Sequence, residues 1–365
     1  MESMLRYGEN PNQFAAVYGY TASNMPALTN IRLAKSGKGG LSATNLMDIA
    51  RGMDLLKFFP APSVTVMKHL IPSGFATEFE GNSLAEIYVN AREADRRSAL
   101  GSVVVMNRPL DKATARQIAR VYVEVVAAPD YEEGTIGILE KGKYLTDVRI
   151  AQFSNLDMLP KFIGDDTKGL YDLKALPTGR VIVQAPYLTS IRGVDDLILD
   201  AQATYTSRKT GISRQFTVER DPTSAELRDL FIAWYINICV RSNGIVIVKD
   251  GVTLAVGSGQ QERVGAVEQA IVKAYQKAMD REHIPYDPLK GITGSEMLSA
   301  NPLEGAVASS DAFFPTRDSI DRLAETGVSV IIQPGGSKKD YLIIKAVNQH
   351  HMAMAVTGER CFAHI

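Results

Sequence analysis

The sequence predicts an α/β fold built from two similar units, and three observations carry that prediction. Apolar β-branched runs alternate with amphipathic helical stretches along the chain. The run Val64-Thr65-Val66-Met67 delivers Lys68 and His69 to a turn bounded by Pro72 and Gly74, and the second half of the chain can be laid over the first. Such alternation predicts a mostly parallel sheet covered on both faces, and the carboxyl ends of strands in open α/β sheets are where ligands usually bind. Lys68 and His69 would then stand at a pocket rim, with histidine able to take up a proton near neutral pH. A solvated strand end would carry the same two residues.

At 365 residues two domains are expected, with a boundary near the less regular region 165–217. The expected units are 1–200 and 201–365. Forty basic residues are balanced by 41 acidic ones, which argues against a general nucleic-acid binder. No apolar run reaches membrane-spanning length and the start, Met1-Glu2-Ser3-Met4-Leu5-Arg6, lacks a signal-peptide core, so a soluble, cytoplasmic protein without membrane contacts is expected. Only Cys239 and Cys361 are present, both in apolar contexts. They supply neither a disulfide framework nor a cysteine zinc cluster and read as small core residues.

Taken in order, the opening Leu5-Arg6-Tyr7-Gly8-Glu9-Asn10-Pro11 is polar and turn-rich, with Arg6 a candidate anion clamp. Lys35-Ser36-Gly37-Lys38-Gly39-Gly40 fails the Walker spacing and reads as a turn before a helix over 43–59. After the Lys68-His69 strand, helices are expected over 82–97 and 111–122, with strands over 103–106 and 123–126. A strand over 181–184 precedes a helix over 224–237 and a strand over 245–249 that again ends in a lysine. Gly101-Ser102-Val103, Pro109, Asp111 and Val123-Glu124-Val125-Val126 align with Gly305-Ala306-Val307, Pro315, Asp318 and Val328-Ser329-Val330-Ile331, which suggests an internal duplication.

Three further segments carry polar groups. Gly257-Ser258-Gly259-Gln260-Gln261-Glu262-Arg263 opens a helix over 264–279, lacks the third glycine of a dinucleotide fingerprint, and offers amides and Arg263 to an anion. Ser310-Asp311-Ala312-Phe313-Phe314-Pro315 sets two aromatics in a strand-to-helix loop, as core plugs or as a ring-binding wall. Pro334-Gly335-Gly336-Ser337 could form a backbone anion nest. The tail ends with Arg360, Phe362 and His364.

The order of Leu5-Arg6-Tyr7-Gly8, Lys68-His69, Ser242-Asn243, Gly259-Gln260-x-x-Arg263, Ser310-Asp311-Ala312-Phe313-Phe314-Pro315, Pro334-Gly335-Gly336-Ser337 and Arg360-x-Phe362-x-His364 resembles the transformylase domain of the bifunctional AICAR transformylase/IMP cyclohydrolase family. AICAR is 5-aminoimidazole-4-carboxamide ribonucleotide. The likeness runs from Leu5 to His364 and suggests a stand-alone transformylase without the cyclohydrolase domain. It implies two tandem cytidine-deaminase-like α/β/α subdomains, free of zinc because the His-x-Glu and Pro-Cys-x-x-Cys ligands are missing. It also implies a homodimer with active sites at the subunit interface, and it admits a structural monovalent cation.

The implied reaction moves a formyl group from 10-formyltetrahydrofolate to the 5-amino group of AICAR. By resemblance His69 is the base, Lys68 stabilises charge and helps protonate the departing folate nitrogen, and Asn243 holds the formyl oxygen. Arg6, Tyr7, Asn45, Gly101, Arg263, Phe313, Pro315, Asp318, Arg360 and His364 are similar in position to substrate-binding groups. The alternatives are a different formyl donor or a non-catalytic AICAR sensor. Departures from the family pattern fall at Ile71-Pro72-Ser73-Gly74, Ala99-Leu100-Gly101-Ser102 and Asn12, near the expected folate and nucleotide surfaces.

Overall fold

The computed structural model describes residues 3–18 and 31–364. Its main feature is one eleven-stranded sheet. In chain order the first six strands are β1 (Arg32–Lys35), β2 (Ser63–Lys68), β3 (Ile71–Thr77), β4 (Ser102–Met106), β5 (Val123–Ala128) and β6 (Arg149–Gln152). The other five are β7 (Ile245–Lys249), β8 (Val252–Gly257), β9 (Val307–Ser310), β10 (Val330–Gln333) and β11 (Ala353–Val356). Across the sheet they lie in the order β11-β10-β9-β7-β8-β3-β2-β4-β5-β6-β1. The helices are α1 (Ala43–Leu56), α2 (Leu84–Ala94), α3 (Lys112–Ile118), α4 (Thr135–Glu140), α5 (Ser224–Ile238), α6 (Arg263–Arg281), α7 (Asp318–Glu325) and α8 (Asp340–Gln349). None of the described helices is long and apolar enough to cross a membrane.

The second half repeats the first. Each runs helix, antiparallel hairpin, helix, then three parallel strands linked by two short helices, so β2 to β6 answer β7 to β11. Ser42 and Thr223 close equivalent capping boxes at α1 and α5, each side chain accepting from the amide three residues on. The parallel trios are what alternation requires; the hairpins and their neighbours pair antiparallel, so the whole sheet is mixed.

Side chains alternate across the sheet as the pleat demands. Val103, Val105, Val246 and Val248 join Ile49, Leu56, Trp234 and Ile236 in one core that spans both halves under α1 and α5. On the opposite face Val64, Val66 and Val104 pack against α2, while Ile245, Ile247 and Phe314 pack against α6 and α8. The halves meet at β3 and β8, where Val252 faces Ala76. There the Thr253 hydroxyl accepts from the Phe75 amide at 2.8 Å and donates to the Phe75 carbonyl at 3.2 Å.

Pro72 and Gly74 do not end the strand, as the sequence reading expected; they lie within β3. Pro72 sits next to the register shift between Val66 and Met67, where a missing ladder donor is tolerated. Gly74 is required by packing, since a Cβ there would land on the Ala91 carbonyl oxygen of α2. Both cysteines are buried, and burial pushes the Cys239 thiol up to about 12.

Gly74→Ala should cost roughly 1–3 kcal/mol of stability by overpacking, read as a lowered denaturant midpoint. Native protein should give no reaction with a thiol-specific disulfide reagent, and denatured protein should give both cysteines.

Candidate functional site

Lys68 and His69 occupy the turn between β2 and β3, with His69 exposed. His69 (φ 53°) and Leu70 (φ 66°) both adopt the left-handed region, the signature of a two-residue hairpin loop. The Leu70 amide donates to Asp48 Oδ1 of α1 at 2.7 Å. Burial pushes the Asp48 carboxyl above its ordinary value; the Leu70 amide and the charges of His69 and Lys68 act against this, and Glu124 adds to it. Lys68 Nζ donates to the carbonyls of Gly101 at 2.6 Å and Leu100 at 3.1 Å. An ammonium has three donors, so one remains for a ligand.

Around this turn stand groups from the amino-terminal ends of β4 and β5. Asn45, buried in the first turn of α1, donates from Nδ2 to Glu124 Oε2 at 2.9 Å and accepts from the Ser42 amide. Arg6 and Tyr7 are tied to the same region by the Arg6 amide to Leu41 and by the Ala43 amide to Tyr7, and the Arg6 guanidinium lies 5.0 Å from the Tyr7 ring centre. The glycine turn 36–40 is held by buried Arg149, which donates to the carbonyls of Gly40 and Lys38.

A cavity of about 690 Å³ opens on the same edge of the sheet, at the carboxyl ends of β9, β10 and β11. Asn243, Arg263, Phe313, Pro315, Arg360 and Phe362 are among its lining residues. Arg263 is buried; it donates to Asp311, to the Gly244 carbonyl at 3.3 Å and to Asn243 Oδ1 at 2.7 Å. Asn243 Nδ2 donates to the Gln260 carbonyl at 2.9 Å, so its amide has one N–H left for the cavity. Phe314 is a core plug while Phe313 is half exposed at the cavity, which resolves the aromatic pair into one of each.

The tail is seated by a single carboxylate. Glu359 accepts from the hydroxyls of Tyr187, Thr189 and Ser190 and from the Ser190 amide. Two main-chain bonds, Cys361 to Asp311 and Ser242 to Ala363, then fix Arg360 and Phe362 between them. His364 packs edge-on to Phe362 with ring centres 5.7 Å apart and does not line the cavity. Asp318 is the first residue of α7, its carboxylate accepting from the Thr316 hydroxyl and the Ser319 amide, and it also lies off the lining.

The Pro334-Gly335-Gly336-Ser337 nest is not open, because Asp340 Oδ2 already accepts from the amides of Gly336 at 2.8 Å and Ser337 at 3.0 Å. Its anion is internal. In the 257–263 loop the Ser258 and Gly259 amides are likewise taken, by Gln269 and by the Arg241 carbonyl. Glu124 and Asp48 were not singled out by sequence. The signal for Glu124 was available, a carboxylate interrupting the buried run Val123-Glu124-Val125-Val126. Asp48 gave none, since an acidic residue on an amphipathic helix usually faces solvent.

The expected site residues thus fall into two groups. Lys68, His69, Asn45, Gly101, Arg6 and Tyr7 form one, and Asn243, Arg263, Phe313, Pro315 and Arg360 the other. Between β2 and β7 lie β3 and β8, a span of roughly 14 Å at ordinary strand spacing. No residue of the first group lines the cavity. Among the described residues no cluster of three or more His, Cys, Asp or Glu is arranged to hold a metal ion.

Residues 1–273 match the family described as AICARFT/IMPCHase bienzyme. Curated relatives named bifunctional purine biosynthesis protein PurH include those of Magnetococcus marinus, 36% identical over 366 residues, and Nostoc punctiforme, 35% identical over 363. Another, from Caldicellulosiruptor saccharolyticus, is 34% identical over 364. Each alignment covers 99% of this chain but only 58–59% of the relative, so the chain spans under two thirds of their length. With three quarters of its length inside the family profile, the chain belongs to the AICARFT/IMPCHase bienzyme family.

Proposed function

We propose that this chain transfers a formyl group from 10-formyltetrahydrofolate to the 5-amino group of AICAR, in purine biosynthesis. The observation that carries the reading is the Lys68-His69 turn standing on the same sheet edge as the Asn243–Arg263 cavity. The reaction needs a base beside a weakly nucleophilic amine and a donor beside a developing oxyanion. The amine nitrogen bonds to the formyl carbon while His69 takes its proton. The oxyanion is met by the spare N–H of Asn243 and by the Lys68 ammonium. Collapse breaks the bond from the formyl carbon to folate N10, and a proton delivered through Lys68 satisfies that nitrogen. Arg6 and Arg360 supply positive charge for the nucleotide phosphate, and Phe313 a face for a ring.

We further propose that two copies of the chain complete each site, His69 of one facing Asn243 of the other. Within one chain the Lys68-His69 group does not line the Asn243–Arg263 cavity. A hairpin, Asp172–Leu176 paired with Arg180–Gln184, supplies a contact surface. By register one of its faces carries Leu173, Ala175, Val181 and Val183, with Leu173, Val181 and Val183 at least half exposed. A two-stranded hairpin with an uncovered apolar face is marginal unless something packs on it.

His69→Ala should lower kcat about 10²–10⁴-fold with AICAR binding retained. Absorbance-monitored formyl transfer and calorimetric AICAR binding read the two separately; full activity, or loss of binding alone, would count against the base. Mixing inactive His69→Ala with inactive Asn243→Ala should restore about one quarter of wild-type activity, since half the random dimers carry one intact site. No recovery after exchange would place both groups in one chain. Val181→Asp with Val183→Asp should shift the protein toward monomer in light scattering and reduce turnover in parallel.

A further inference from the structure

The chain contains the Lys68-His69 turn twice, and only one copy carries a histidine. In the second half Lys249, Asp250, Gly251 and Val252 form the equivalent loop between β7 and β8, with Lys249 Nζ donating to the Glu304 carbonyl as Lys68 does to that of Leu100. Asp250 (φ 51°) and Gly251 (φ 76°) repeat the left-handed pair of His69 and Leu70. A buried aspartate one helix away serves each loop. Asp229 of α5 accepts from the Asp250 amide at 2.7 Å and the Gly251 amide at 3.0 Å, using both oxygens. Among the described residues Asp48 of α1 accepts from Leu70 alone.

The difference bears on His69. A loop of this type wants glycine at its second position, and the second half has it in Gly251. The first half has Leu70, whose Cβ resists that backbone conformation, and only one external bond holds it. Release of that bond lets the loop relax toward φ below zero and swings the preceding residue with it.

We propose that Asp48 is a positioning residue for His69, acting through the Leu70 amide. The proposal rests on the reading of His69 as the base. Asp48 faces the charges of Lys68 and His69 from the turn and Glu124 from β5, so a purely electrostatic role must be separated from the hydrogen bond. Asp48→Asn keeps an acceptor oxygen and removes the charge, while Asp48→Ala removes both. Asp229→Ala strips the loop that has no histidine.

With the full-length chain, kcat and the AICAR KM are measured beside hydrogen exchange of the peptide covering 68–71. Asp48→Ala should lower kcat at least tenfold, leave KM within about twofold and speed exchange of the turn. Asp48→Asn should stay within about threefold of wild type in kcat, and Asp229→Ala should lower thermal stability with kcat unchanged. Adding Leu70→Gly to Asp48→Ala should recover at least fivefold in kcat, because glycine holds the loop geometry without help; this double variant also serves if Asp48→Ala folds poorly. Wild-type kcat in Asp48→Ala, an equal loss in Asp229→Ala, or equal losses in the Asn and Ala variants at position 48 would overturn the proposal. A wild-type chain that transfers no formyl group would instead remove the base reading on which it stands, an outcome the parent enzyme reports on its own.

Discussion

The seam between β3 and β8 decides what this molecule can do. Two hairpins meet there edge to edge and antiparallel, with a threonine hydroxyl bridging the amide and carbonyl of one residue. Because the join is antiparallel, the two halves run in opposite senses. The start of each parallel trio in the first half therefore shares an edge with the end of the trio in the second. A lysine and a histidine at the end of β2 thus stand on the same sheet edge as an asparagine just before β7, with β3 and β8 between them. Had the halves been beads on a string, no such edge would exist.

The two halves share one architecture but differ in chemistry at matching strand ends. At the end of β4 Asn107 folds its amide back on the main chain, accepting from Ser63 and donating to Phe59 and Ala61, which closes that edge. The matching residue after β9 is Asp311, which takes the Arg263 guanidinium and the Ser242 hydroxyl instead. An amide that satisfies itself locally leaves nothing to recruit. A carboxylate needs a counter-charge, and the arginine it holds orients Asn243 beside the cavity. The amide at one position bonds to main-chain groups, and the carboxylate at the other holds a side-chain cation at the cavity wall.

Much of this was legible in residue order. The periodicity of the 43–59 and 224–237 segments marks helices whose ends lie within a few residues of α1 and α5, and the aligned glycine, proline and valine positions anticipate the repeated strand order. The family motifs named candidate residues in one set, which the fold divides into two groups. Less legible were features that depend on what lies across a gap in sequence. Pro72 and Gly74 read as breakers because local propensity knows nothing of the α2 carbonyl that excludes a side chain at position 74. The nest at 335–337 looked vacant because its anion, Asp340, comes from the helix that follows. Nothing in the residue order of the tail marks Glu359 as its anchor, because its partners come from the 187–190 segment. His364 and Asp318 lie within three residues of lining residues in sequence yet are not themselves part of the cavity lining.

That internal anion has a thermodynamic side. Gly335 and Gly336 adopt left-handed backbone angles that, in many phosphate loops, are organised only when the phosphate arrives. Here the carboxylate of Asp340 occupies the concavity, so the wall formed by Pro334 and Gly335 is shaped without a ligand. A ligand entering beside it spends none of its binding free energy on ordering that loop. Discrimination at this wall is consequently a matter of fit to a fixed surface, and a tighter ligand would be found by matching its contour rather than by seeking a new charge partner.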